Sequence, residues 1–160
     1  KEAPFPNLYR PLVRPPDAPR AFSWWAGYVM SRNSLTPRDR EIAILRVGWL
    51  CKSGYEWTQH HRIGLQSGLD ATEIERIKIG AAAAEWSAQE KALIAAVDDL
   101  NRDHFVSNAS WAELLKHYSE RQCMDLVFTV GQYTQVSMIL NSFGVQLDQG
   151  QTLDPDLKTF

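Results

Sequence analysis

Apolar residues recur along most of this chain at three- and four-residue intervals, the period of an amphipathic helix. Over residues 21–32 this brings Phe22, Trp25, Tyr28 and Val29 onto one side. Thr36-Pro37-Arg38-Asp39 then reads as an N-cap, a proline at the first helical position and an acid in the first turn, opening a helix to about residue 50. A second helix is expected from 55 to about 67, closed by Gly68 as a left-handed cap. Asp70-x-x-Glu73 opens a short helix carrying Ile74 and Ile77. Ser87-x-x-Glu90, Ser110-x-x-Glu113 and Ser119-x-x-Gln122 open three more, over 88–104, 111–117 and 120–143. No hairpin turn with alternating flanks is found, so the expected fold class is all-α.

The pattern changes at both ends. Most of the prolines fall in the first twenty residues, which predicts an extended, non-helical arm. Phe5, Leu8, Tyr9, Leu12 and Val13 make that arm too apolar for a plain linker, so it should lie across the domain or across a neighbouring subunit. The predicted organisation is an arm over 1–20, one helical domain over 21–147 and a polar tail over 148–160, loose or docked on a partner chain. At 160 residues the chain is long enough to bury a real core.

Composition excludes several classes. The net charge is −2, with both signs mixed along the chain, so neither nucleic acid nor an anionic membrane is an expected partner. Apolar runs are too short to span a bilayer, and the first residues carry too many prolines and charges for a secretory signal. A cytoplasmic protein is expected. The two cysteines, Cys51 and Cys123, are expected to be free thiols.

Candidate chemistry concentrates between Glu41 and Gly68. Glu41 sits in the apolar run EIAIL, where a carboxylate must pair with a cation or lose its charge. An exposed pairing with Arg38 or Arg46 is the plainer alternative. After a Lys52-Ser53-Gly54 break, Ser53, Glu56 and His60 stand at i, i+3 and i+7. Glu56 and His60 share a helix face, as suits acid–base work and equally an ordinary surface pair. No metal is expected, because adjacent His60 and His61 point apart and a site would need distant ligands such as Glu41 or His117. Tyr133, in GQYTQ, interrupts the apolar face of the last helix and is either a pocket donor or a core tyrosine.

The segment Tyr55-Glu56-Trp57-x-x-His60, with the upstream REIAIL run and the late GQYTQVSMILNSFGVQL segment, resembles the carboxymuconolactone decarboxylase family over residues 21–147. That resemblance implies an alkylhydroperoxidase D-like helical bundle. The redox motif of that superfamily, Glu-x11-Cys-x-x-Cys-x-x-x-His, falls here on Glu41, Ser53, Glu56 and His60, so both thiol positions are lost. Peroxide reduction needs a thiolate and a resolving thiol, which disfavours an antioxidant peroxidase built on Cys51. The resemblance implies a cofactor-free lyase that removes carbon dioxide from a small carboxylated lactone or related acid of aromatic-compound breakdown. His60 would shuttle the proton, with Glu56 or Glu41 as its partner. Ser53, Tyr55, Trp57, Tyr133 and Arg46 would form the substrate pocket, with Arg62 two positions off the His60 face. The resemblance further implies homo-oligomers, trimers or hexamers. A non-catalytic module binding a small ligand is the remaining alternative.

Overall fold

In the computed structural model, residues 6–12 and 17–157 are described; Phe5 and Val13 of the arm lie outside them. The described residues form eight helices and no strand. They are α1 (Tyr9–Leu12), α2 (Ala18–Ser31), α3 (Pro37–Leu50), α4 (Gly54–Gln66), α5 (Ala71–Ile79), α6 (Ala88–Asp103), α7 (Asn108–Leu114) and α8 (Glu120–Ser142). Among them no helix is long and apolar enough to cross a membrane.

The fold is organised around α3. Ile42, Ala43, Ile44, Leu45 and Val47 are all fully buried, because α4, α5, α6 and α8 pack against successive faces of this one helix. A helix surrounded in this way loses the usual polar side. That is also how a carboxylate, Glu41, comes to have no exposure at all. The Thr36 hydroxyl accepts from the Asp39 amide and fixes where α3 begins. The preceding loop is held to α8 by Asp125, which accepts from the Ser34 amide, the Ser34 hydroxyl and the Tyr28 hydroxyl.

The expected capping boxes at Asp70/Glu73, Ser87/Glu90 and Ser119/Gln122 are all present, and Gly68 has φ 94° just past α4. Helix α7 departs from its expected start. Its cap is Ser107 rather than Ser110, with the Ser107 hydroxyl accepting from the Ser110 amide. The Ser107 amide itself donates to Asp99 on α6, a tertiary contact that sets the register and that sequence spacing does not carry.

The ends also differ from expectation. The arm is partly helical: α1 forms one turn, and α2 already begins at Ala18, with Pro19 accommodated in its first turn. The described arm lies across its own domain, where the Asn7 amide donates to Asp148 and the Asn7 carboxamide to the carbonyls of Gln146 and Leu147. Nor is the described tail loose. Asp148 also accepts from Tyr55 and Gln59, Asp154 accepts from the Trp57 indole and Lys78, and Leu157 is buried in the main core.

Candidate active site

Helices α3 and α4 are joined by a tight turn in which Lys52 takes φ 52° and the Ser53 amide donates to the Gly48 carbonyl at 2.8 Å. The turn folds α4 back along α3, so residues 19 apart in sequence meet. Glu41, one turn into α3, faces His60, two turns into α4. Nδ1 of His60 lies 2.6 Å from Glu41 Oε2, and Nε2 lies 3.0 Å from Glu56 Oε1. One imidazole is thus held between two carboxylates, and all three side chains are buried. Behind Glu41, Arg40 Nε stands 3.8 Å from Oε1, so its cation offsets the second carboxylate of the cluster.

Burial opposes a charge on His60, but the hydrogen bonds and field of Glu41 and Glu56 outweigh it and raise the imidazole pKa to about 9. At neutral pH the ring carries both protons, with Nδ1 donating to Glu41 and Nε2 forming an ion pair with Glu56. With Arg40 included, the four formal charges cancel, which is the condition for burying so many of them.

His60 and Glu56 open on a cavity of about 220 Å³. Leu8, Phe22, Val29, Met30 and Val136 give it apolar walls, and Tyr55, Gln59, Gln132 and Tyr133 add polar groups. The Tyr133 ring meets His60 edge to face, with centroids 4.9 Å apart, and its hydroxyl donates to the sulfur of Met30. Burial, then the fields of Glu56 and Glu41, hold the Tyr133 hydroxyl well above its ordinary pKa, so it stays protonated.

The expected site residues therefore divide. Glu41, Glu56 and His60 converge, and Tyr55 and Tyr133 line the same cavity. Arg46 does not reach it. Its Nε pairs with Asp98 at 2.6 Å, and its Nη1 donates to the carbonyls of Ile77 and Lys78, on a different face of α3. Arg38, the other cation suggested for Glu41, instead clamps Glu73 and Glu90; Arg62 is exposed. Trp57 is core, its ring tilted against that of Trp49 and its indole donating to Asp154. Ser53 is fully buried at the start of α4 and is not part of the cavity wall.

Three contributors were not singled out from sequence. Arg40 is adjacent to Glu41 in sequence, and no helical i, i+3 or i, i+4 spacing marks it as a partner. Phe22 was assigned only to a helix face. Gln132 stood in plain view as a polar interruption of the α8 apolar face, and that interruption was its signal.

Residues 16–99 match the model of the carboxymuconolactone decarboxylase family, more than half of the chain. The chain belongs to this family. The matched stretch carries Glu41, Glu56 and His60, while the Gln132 and Tyr133 wall on α8 lies beyond it. No curated protein matches the chain. Solved structures share the alkylhydroperoxidase D-like fold at low identity. A peroxidase-related protein with an AhpD core from Ralstonia eutropha has 18% identity and TM-score 0.81, over 90% of this chain and 77% of that one. A protein of unknown function from Agrobacterium tumefaciens, a candidate antioxidant-defence protein AhpD, has 20% identity and TM-score 0.78, over 83% and 92%. The debrominase Bmp8, in complex with 2,3,4-tribromopyrrole, has 12% identity and TM-score 0.79, over 91% and 78%.

Proposed function

We propose that this family member is a cofactor-free acid–base lyase acting on a small carboxylated lactone or a related acid. The observation that carries the reading is the buried His60, hydrogen-bonded to Glu41 and ion-paired with Glu56, in the wall of a cavity sized for a single ring. In such a site the bond to the departing carboxylate breaks, and its electron pair enters the lactone carbonyl as a dienolate. Carbon dioxide leaves, and one proton is delivered to carbon. His60 supplies that proton through Nε2, directly or by way of Glu56. Glu41 holds the Nδ1 side and keeps the ring charged, so the proton returns from solvent for the next cycle. Tyr55 and Tyr133 shape the cavity and exclude water.

The walls also limit the substrate. Neither lysine nor arginine is among the cavity's described lining residues, so His60 is the only cation there to meet an anion. That favours one carboxylate over several. Bmp8 holds a substituted pyrrole in the same fold, which supports a ligand of one small ring.

A thiol-based peroxidase finds less support. Cys51 is half-buried, and burial pushes its thiol pKa up, away from the reactive thiolate. Cys123 is buried elsewhere. We also read the protein as a cytoplasmic homo-oligomer, a trimer or hexamer. Met124, Phe128 and Met138 form an exposed apolar stripe along α8 that supports self-association, checked by light scattering.

The test is to incubate the protein with mono-carboxylated lactones, and with the dicarboxylate carboxymuconolactone for comparison, and follow carbon dioxide release, with His60→Ala alongside. Release by the parent at rates at least a hundredfold above the variant is expected. Equal release from both would refute the reading, and no release from any lactone would leave only a small-ligand-binding module.

A further inference from the structure

Gln132 lies on α8 among the residues that line the His60 cavity. It is only 4% exposed, yet neither its Oε1 nor its Nε2 has a hydrogen-bond partner. Buried amides are nearly always paired, because an unmade hydrogen bond costs more than a made one returns. The neighbouring donors are already committed. His60 is held by its two glutamates, Tyr133 by Met30, Tyr55 by Asp148, and Gln59 by Asp148 and Gln151. An unpartnered amide on a residue that lines the cavity beside Phe22, Val29 and Val136 points to a ligand rather than to the fold.

We propose that Gln132 is the recognition group of this cavity, receiving the ring carbonyl of a small cyclic ester or amide. Nε2 donates to that carbonyl, and in a lactam Oε1 also accepts the ring N–H. The ring fills the apolar part of the cavity, whose 220 Å³ exceeds the roughly 150 Å³ that accepts benzene in an engineered apolar cavity. The choice of an ester carbonyl rests on the lyase reading, in which that same oxygen gains charge as the dienolate forms. Binding through Gln132 does not require turnover, so the two ideas fail separately.

The probes are γ-valerolactone, 2-pyrrolidinone and 2-methyltetrahydrofuran, the last being the lactone ring without its carbonyl. Their binding is titrated by ligand-observed NMR against the parent and against Gln132→Leu, with thermal melting of both proteins. The parent should prefer the lactone and lactam to the ether by about tenfold, and Gln132→Leu should lose that preference. Gln132→Leu should also melt at the parent's temperature or above it, since it removes two unpaired buried polar atoms. If the parent binds ether and lactone alike, or if Gln132→Leu keeps the preference, the proposal is wrong. A marked fall in melting temperature in Gln132→Leu, matched in Gln132→Met, would give the amide a structural role and overturn it as well. Failure of every lactone to release carbon dioxide, with the Gln132-dependent preference intact, would remove the lyase reading and leave the binding site standing.

Discussion

Replacing His60 with glutamine should flatten the pH dependence of stability in a defined window. In the folded protein the imidazole pKa is raised to about 9, against about 6.5 in an unfolded chain. Each unit of that difference is worth ~1.36 kcal/mol, so the protonated ring contributes about 3 kcal/mol in all. Because the folded value is the higher one, this contribution is complete below the unfolded pKa and is lost as pH rises through the folded one. About 2 kcal/mol of it should disappear between roughly pH 7 and 9.5. The two thiols, both pushed upward by burial, also lose stability at the alkaline end, but they do so in parent and variant alike. The difference between the two proteins therefore isolates His60. Urea unfolding followed by tryptophan fluorescence, at fixed ionic strength and half-unit pH steps, measures it. Parallel curves from pH 7 to 9.5 would refute the argument, as would a parent that loses this stability between pH 5.5 and 7.

Glu41→Gln keeps the side-chain shape but removes one of the two carboxylates that raise the His60 pKa; an NMR titration should find the ring pKa lowered toward 6.5, with turnover at pH 7 reduced at least a hundredfold. Cys51→Ser combined with Cys123→Ser should leave turnover of any lactone substrate unchanged, whereas a thiol mechanism demands its loss. Gly80→Ala should destabilise by about 2 kcal/mol in thermal melts, because residue 80 has φ 90° and a Cβ there would sit 2.5 Å from the fixed guanidinium of Arg46. Asp148→Ala should cost about 1–3 kcal/mol and speed proteolytic cutting in the arm, since Asn7, Tyr55 and Gln59 all donate to that one carboxylate.

The helices and their starts were legible because they are local. Thr36, Asp70, Ser87 and Ser119 each cap through an amide three residues on, a relation written directly in the spacing. Where a start depended on a distant partner, as Ser107 does on Asp99, spacing pointed to the wrong serine. The same division runs through the site. Glu56 and His60 are one helical turn apart and could be paired on sight, and Glu41 was marked by its apolar neighbours. Arg46 was assigned to the cavity because an arginine suits an anionic substrate, but direction around α3 decides what it reaches, and Asp98 claims it. Asp148 and Asp154 looked like tail polarity because their partners, Tyr55, Gln59, Trp57 and Lys78, are about 75 to 100 residues away in sequence. Gln132 shows the converse: its polarity was visible, but only the absence of any partner inside a cavity gives that polarity a purpose.

The central claim is that the His60–Glu56 pair moves a proton at a carbon beside a lactone carbonyl. It is tested most directly by incubating the protein in D2O with α-angelica lactone, an uncarboxylated unsaturated lactone that forms a dienolate. Proton NMR then follows loss of the ring hydrogen next to the carbonyl. The account predicts exchange well above the buffer rate with the parent protein and a return to the buffer rate with His60→Ala. Exchange by the parent no faster than buffer, or equally fast with His60→Ala, would contradict it.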